Sequence, residues 1–296
     1  MITVYGEGLI DLVPQYSSPM APLVPALGGG PFNVAIVVAR QNRPVAFQSR
    51  LSQDPFGQEL AGRLSAEGVD ITGLQRGPEP STLAVTSLQA DGSATYTFYN
   101  QSTADRFVHP TAAPTDIACF GTCSLAWEPG ASRYGEVLRA HAAAGRLVAL
   151  DPNIRPAFAT PEHRDRLVGL MESTHLVKLS REEVDFFGGL DRLTACGPQA
   201  IVITDGAAGI TAVIGTAEVT VPAVRTEVAD TIGAGDTVMG TLLAELDRRD
   251  VHVDDLASLG SVAWEEILAR AARAAAITCS RTGAQPPTAA ELDAAG

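Results

Sequence analysis

Val228-Ala229-Asp230-Thr231-Ile232-Gly233-Ala234-Gly235-Asp236-Thr237-Val238-Met239-Gly240-Thr241-Leu242-Leu243 is the stretch on which the reading of this chain turns. Its second half is apolar, free of proline and spaced like a buried helix, so the turn before it opens that helix. Gly233 and Gly235, with only Ala234 between them, let successive N–H groups curl toward one concavity at the positive end of the helix dipole, where anions bind. Asp236 falls in the first helical turn beside that concavity. A carboxylate there can take a proton from an alcohol while the amides stabilise charge on a transferring phosphoryl group, which points to a kinase. The plainer alternative is a capped helix behind a flexible turn. Asp230-Thr231 ahead of the turn and Gly240-Thr241 beyond it make the pattern more specific than Gly-x-Gly-Asp alone.

Working outward, 296 residues at 46% hydrophobic content suffice for one main domain with a small appendage. A net charge of -13 and a pI near 4.8 argue against nucleic acid as a partner, because that needs a basic face. No apolar run reaches membrane-spanning length and no basic segment precedes an apolar one at the start, so a cytoplasmic protein without membrane contact is expected. The four cysteines include no Cys-x-x-Cys pair, and none of the five histidines pair at metal-binding helical spacing. Reduced, mostly buried thiols are expected. Lysine occurs once, at Lys178, which excludes a Gly-Lys-Ser/Thr phosphate loop. Phosphate chemistry would then rest on backbone amides, arginine and a metal ion.

Ile2 to Tyr5 reads as a short strand, with Asp11 just beyond it, either holding substrate hydroxyls or solvated in a turn. Gly28-Gly29-Gly30-Pro31-Phe32-Asn33 leads into an apolar helix over residues 34–41. Pro31 suits a first helical position, the glycines admit close backbone approach to a ligand, and Asn33 offers a donor and an acceptor. Strand 45–51 and helix 56–67 set a βαβ rhythm. Segments 83–88 and 94–100 alternate around Asp91-Gly92, a hairpin signal, and form a small β flap completed by part of 12–27. Short apolar strands at 117–120, 147–151, 175–178 and 201–204 have the character of parallel strands buried on both faces. Polar clusters end them: Trp127-Glu128, Asp151 to Arg155, Ser180 to Glu183, and Thr204 to Gly206. Glu183 either holds a hydrated magnesium or completes a capping box with Ser180; Arg155 suits substrate or phosphate. The alanine-rich helix 270–278 either lies against an adenine or packs on another helix.

Together, Gly28 to Asn33 and Asp230 to Asp236 resemble the two signatures of the ribokinase-like (PfkB) sugar kinases, and the resemblance spans almost the whole chain. It implies a doubly wound, mostly parallel α/β sheet, with residues 1–8, 28–81 and 104–296 as the core and residues 9–27 and 82–103 as a β lid. It also implies ATP-dependent transfer of the γ-phosphoryl group to a sugar hydroxyl, with magnesium. On that basis Asp236 is the expected base, with Gly233, Ala234 and Gly235 as the anion hole. Asp11, Gly28, Gly29, Asn33, Tyr99 and Arg155 are expected on the sugar, and Thr204, Gly206, Gly209, Ala275 and Gly235 on the nucleotide. Glu183 is expected on magnesium through water, and Asp230 with the carbonyl of Ile232 on a monovalent cation such as potassium. The segments around Cys123, Asn153 and Ser180 are most similar to fructokinases; 2-keto-3-deoxygluconate kinase and ribokinase are the alternatives within the family, and an inactive sugar- or nucleotide-binding sensor the alternative outside it. The chain departs from the pattern at Asn100, where relatives carry arginine, at Gly30 and Phe32, where alanines are common, and at Pro287, where some members have a serine. Lid strands of this kind invite pairing into a homodimer.

Overall fold

The computed structural model describes residues 1–16, 18, 20–88 and 94–295. Strand β1 (Ile2–Tyr5) feeds the hairpin β2 (Leu9–Pro14) and β3 (Leu23–Gly28), followed by α1 (Gly30–Arg40), β4 (Val45–Gln48), β5 (Arg50–Ser52), α2 (Pro55–Ala66) and β6 (Gln75–Gly77). The pair β7 (Leu83–Leu88) and β8 (Ala94–Tyr99) comes next; the Asp91-Gly92 turn expected between them lies outside the described residues. The chain then alternates β9 (Ile117–Gly121), α3 (Gly130–Ala143), β10 (Leu147–Asp151), α4 (Pro161–Met171), β11 (Leu176–Ser180), α5 (Arg181–Phe186), α6 (Leu190–Ala195) and β12 (Ala200–Thr204). It ends with β13 (Ile210–Ile214), β14 (Ala217–Val221), α7 (Ala234–Arg248), α8 (Val253–Leu256), α9 (Ser261–Cys279) and α10 (Ala289–Ala294).

The main sheet has the order β14-β13-β12-β11-β10-β9-β1-β4, and β2, β3, β7 and β8 form a separate sheet ordered β3-β2-β7-β8. All pairings from β4 to β12 in the main sheet are parallel, and β13 and β14 close one edge antiparallel. The expected mostly parallel α/β sheet with a small β lid is therefore present. The expected single strand 45–51 breaks at Ser49, because residues 45–48 pair with β1 while residues 50–52 pair with β6.

Alternation along the strands builds two cores. Ile2, Val4, Ile117 and Cys119 face α1, α2, α7 and α9, whereas Tyr5, Ala118 and Phe120 face α3 and α4 on the opposite side. From β1 the chain goes to β4 on one side and later to β9 on the other, so the strand order reverses beside β1. Open α/β sheets bind ligands in the crevice at such a reversal, beyond the C-terminal ends of the strands.

Helices α1 and α7 cross very closely. A Cβ placed on Gly240 would lie 2.5 Å from Val37 Cβ and 3.1 Å from the Val34 carbonyl oxygen, and next to that crossing Gln41 Nε2 donates to Thr241 Oγ1 at 2.6 Å. Gly240→Ala therefore forces the helices apart or strains Val37, at an expected cost of about 1–3 kcal/mol, typical of an overfilled core. Urea unfolding measures this; a midpoint equal to that of the parent would show that the crossing has room to spare.

Candidate active site

Beyond β1, β9 and β10 lies one cavity, walled by Glu7, Asp11, Gly29, Asn33, Arg155 and Asp236 among others, with Tyr96 and Phe98 of the small sheet above it. Its volume of about 260 Å³ falls just below the ~300–1,000 Å³ usual for small-molecule sites, which suits a ligand of monosaccharide size.

Asp236 occupies the first turn of α7 and is buried. Gly233 precedes that helix in the left-handed conformation at φ 76°, and a Cβ there would lie 2.7 Å from Ala284 Cβ. Asn33 Nδ2 donates to Asp236 Oδ2 at 2.8 Å, joining two residues 203 positions apart. Burial raises the Asp236 carboxyl above its ordinary range, while the Asn33 hydrogen bond, Lys178 and Arg155 pull it back. A carboxyl made more basic by desolvation, with donors and nearby cations favouring its charged form, is suited to accepting a proton from an alcohol. The amides of Gly235 and Asp236 lie in the first turn, where no carbonyl of the helix can receive them. The Ala234 amide closes a turn on the Thr231 carbonyl at 3.3 Å, so the concavity opens mainly at Gly233 and Gly235, which line the cavity.

Across the cavity, burial and the charge of Asp236 push the Asp11 carboxyl up to about 6, against the opposing pull of Arg155. Gly28 is fixed by this residue, since a Cβ on it would lie 2.1 Å from Asp11 Oδ2; it shapes the wall from behind the lining. Arg155 donates to Asn153 Oδ1 at 2.5 Å and sits 5.9 Å from the centroid of the Tyr96 ring.

Tyr99 does not reach the cavity. It is 61% exposed, on the face of β8 opposite Tyr96 and Phe98, because successive strand residues point to opposite sides. The aromatic contacts of the lid wall are therefore one and three residues earlier. Among the expected polar clusters, only Asp151 to Arg155 reaches the cavity wall, through Asn153 and Arg155. Glu128 instead pairs with Arg166 and Ser132, and Arg181 pairs with Asp205.

Glu183 accepts the amides of Ile154 and Ser180, both at 2.6 Å, so it is a capping-box residue that also anchors the 153–155 loop. Asp230 accepts the amides of Ile232 at 3.0 Å and Gly283 at 2.9 Å, tying the glycine turn to the segment after α9, and the Ile232 residue lines the cavity. Thr204, Gly206, Gly209 and Ala275 lie outside the lining, further along the same sheet edge and on α9. Gly209 is buried there, its missing Cβ making room for the Val221 carbonyl oxygen, 2.1 Å from where that carbon would sit.

Two residues, one lining the cavity and one packed behind its Gly235 wall, escaped the sequence reading as site residues. Glu7 is fully buried and accepts from Thr122 Oγ1, from the Ser124 amide at 3.0 Å and from Ser124 Oγ at 2.6 Å. Ser124 Oγ also contacts the Gly121 carbonyl at 2.8 Å, and one hydroxyl proton cannot serve both oxygens. A proton on Glu7 resolves the conflict, and burial accordingly raises this carboxyl to about 7. Its reward is conformational: Thr122, a β-branched residue held at φ 60°, presses against the spot where Gly30 lacks a side chain. The second is Lys178. Its Nζ donates to both carboxylate oxygens of buried Asp151, at 3.0 and 3.1 Å, and lies 2.9 Å from where a Cβ on Gly235 would be. Phosphate chemistry here thus has a lysine within reach, although not one in a phosphate loop.

The pattern of the pfkB family of carbohydrate kinases matches residues 1–291. The chain belongs to that family. It is 37% identical to a fructokinase of Rhizobium leguminosarum bv. trifolii over 261 residues, covering 83% of this chain and 79% of the relative. It is 31% identical to probable fructokinase-4 of Arabidopsis thaliana, over 99% and 95% of the two chains. Among solved structures, the ATP-bound fructokinase of Xylella fastidiosa superposes with a TM-score of 0.91 at 27% identity, covering 99% of this chain and 97% of that one. The aminoimidazole riboside kinase of Salmonella enterica gives a TM-score of 0.82 at 26% identity, with 99% of both chains covered.

The Glu7 geometry has a measurable consequence. A carboxyl whose folded value is about 7 against an ordinary 4.5 contributes its full stabilisation below pH 4.5 and loses it as pH rises through 7. Glu7→Gln, neutral at every pH and able to donate as the acid does, should therefore gain stability relative to the parent across that window, by several degrees of Tm. Parallel Tm-against-pH curves for the two proteins would show Glu7 to be ionised in the fold.

Proposed function

We propose that this carbohydrate kinase transfers the γ-phosphoryl group of ATP to a hydroxyl of fructose. The observation that carries the reading is the cavity in which Asp236, oriented by Asn33, faces Asp11 and Arg155 beside the first-turn amides at Gly235 and Asp236. In the reaction Asp236 takes the proton of the attacking hydroxyl, the new oxygen–phosphorus bond forms in line, and the bond to the departing β-phosphate oxygen breaks, leaving its electron pair on ADP. The amides at Gly233 and Gly235 stabilise the equatorial oxygens as charge shifts. Asp11 and Asn33 orient the sugar, and Tyr96 and Phe98 shield the transfer from water, which would otherwise compete as acceptor.

The nucleotide side is proposed along Thr204 and Gly206, with Gly209 shaping the turn and Ala275 beneath the base. Among the described residues no group of three or more His, Cys, Asp or Glu is arranged to hold a metal ion. Magnesium would accordingly arrive on the phosphates, with Glu183 reaching it only through water. A monovalent cation at Asp230 and the Ile232 carbonyl belongs to the same proposal. Among the described residues no helix is long and apolar enough to cross a membrane, which is compatible with the cytoplasm.

Tyr16, Met20, Leu23 and Val24 around the β2–β3 hairpin and Tyr99 on β8 expose apolar surface on the lid, and we propose the lid as a homodimer contact. A monomeric mass in sedimentation equilibrium at every accessible concentration would exclude it.

Arg155 in the wall favours one second reading, a sugar acid such as 2-keto-3-deoxygluconate as acceptor. An ADP-release assay over a panel of sugars and sugar acids separates the two. Fructose should give the highest kcat/KM, and activity confined to the acid would transfer the assignment to it. Asp236→Asn should lower kcat by about 10²–10⁴-fold with little change in sugar KM. Turnover within a few-fold of the parent would remove Asp236 from the role of base, and a parent inactive on the whole panel would favour a binding protein.

A further inference from the structure

Lys178, the only lysine in the chain, stands in the middle of the buried strand β11 and is itself 4% exposed. Its partner Asp151 is 3% exposed, at the end of the neighbouring strand β10, and the two strands run parallel. Burying such a pair is a poor route to stability, because the desolvation of both ions offsets their attraction and apolar replacements are often as stable. The position of the pair is more informative than its existence. The ammonium end, not the carboxylate end, abuts Gly235, and only the absence of a side chain at Gly235 gives it that room: a Cβ would meet Nζ at 2.9 Å. Of the three protons on Nζ, two are directed to the Asp151 oxygens. Asp151 thus holds the lysine in place and balances its charge while a third donor remains.

Resting on the kinase reading above, we propose that Lys178 is a further catalytic residue: its third N–H enters the anion hole beside Gly235 and contacts the transferring phosphoryl group. Asp151 is then a positioning residue that acts through Lys178. The main-chain amides supply fixed dipoles, and the lysine adds a full positive charge on the same side, where negative charge on the phosphoryl oxygens and the leaving oxygen shifts during transfer. The chain needs no phosphate-loop lysine because the sheet delivers one from below.

The single lysine makes the test direct. Protein carrying 13Cε-lysine gives one side-chain signal, to be followed with fructose plus ADP and with fructose plus a non-hydrolysable ATP analogue. A displacement with the analogue that is absent with ADP supports the contact; equal displacements, or none, overturn it. The paired variant Lys178→Met with Asp151→Leu removes both charges, so it separates folding from chemistry. It should keep a Tm near that of the parent and lower kcat by about 10²–10³-fold, as losing one such donor does, with sugar KM held within a few-fold. A kcat within a few-fold of the parent would show the pair to be structural only. The rates are read with whichever panel sugar the parent phosphorylates best, so a parent inactive on all of them counts against the kinase reading, whereas equal rates count against Lys178 alone.

Discussion

The hydrogen bond from Asn33 to Asp236 is the contact on which the rest of the site depends. It joins the N-terminal turns of α1 and α7, and so brings together two glycine-rich segments that enter the fold more than 200 residues apart. It can form only because the two helices approach at glycine distance at Gly240, with Gln41 and Thr241 bonded one turn further on. The same crossing sets where Asp236 stands relative to Asp11, since β2 and α1 are linked through β3 and the glycine run. A change in helix spacing would therefore appear as a misplaced base before it appeared as a lost fold, because catalysis responds to displacements of about an ångström.

Much of this was legible in the residue order. Apolar runs bounded by turn residues identified the parallel strands, and the two glycine segments marked the helix starts that flank the cavity, because both signals are local. Tyr99 was misjudged for a reason that is also local in origin: a side chain's face on a two-residue period depends on register, and register is set by pairing with β7, which the residues of β8 alone do not specify. The antiparallel edge β13 and β14 was missed because Ile210 to Ile214 reads like any other short apolar strand and nothing in it announces direction.

Glu7 and Lys178 were hidden by a different circumstance. Each is a charged residue type in an apolar context, and their partners, Thr122 and Ser124 in one case and Asp151 in the other, are remote in sequence. Composition could register that only one lysine exists, but not that the middle of β11 would set it under Gly235. A usable clue was present: an ionisable residue inside a fully buried strand must have a partner or a purpose. Glu183 shows the converse. Its capping-box pattern was visible, and the structure uses it in that way, with a second amide added from Ile154.

The distribution of charge in the cleft then follows from desolvation. Glu7, Asp11, Asp236 and Asp151 are all carboxyls raised by burial, within one small region. Four anions could not share that space, and the fold divides them by the donors each is given. Glu7 has only hydroxyls and an amide, with no cation paired to it, and takes a proton. Asp151 has Lys178 against it. Asp236, raised by burial, has Asn33 in contact and the charges of Lys178 and Arg155 nearby, which oppose that rise without pairing its oxygens to a cation. An ion pair at Asp236 would have lowered its basicity, and isolation in the core would have kept it protonated. A neutral amide donor with cations at one remove avoids both, and this explains why the residue touching Asp236 is an asparagine and the lysine is held one carboxylate away.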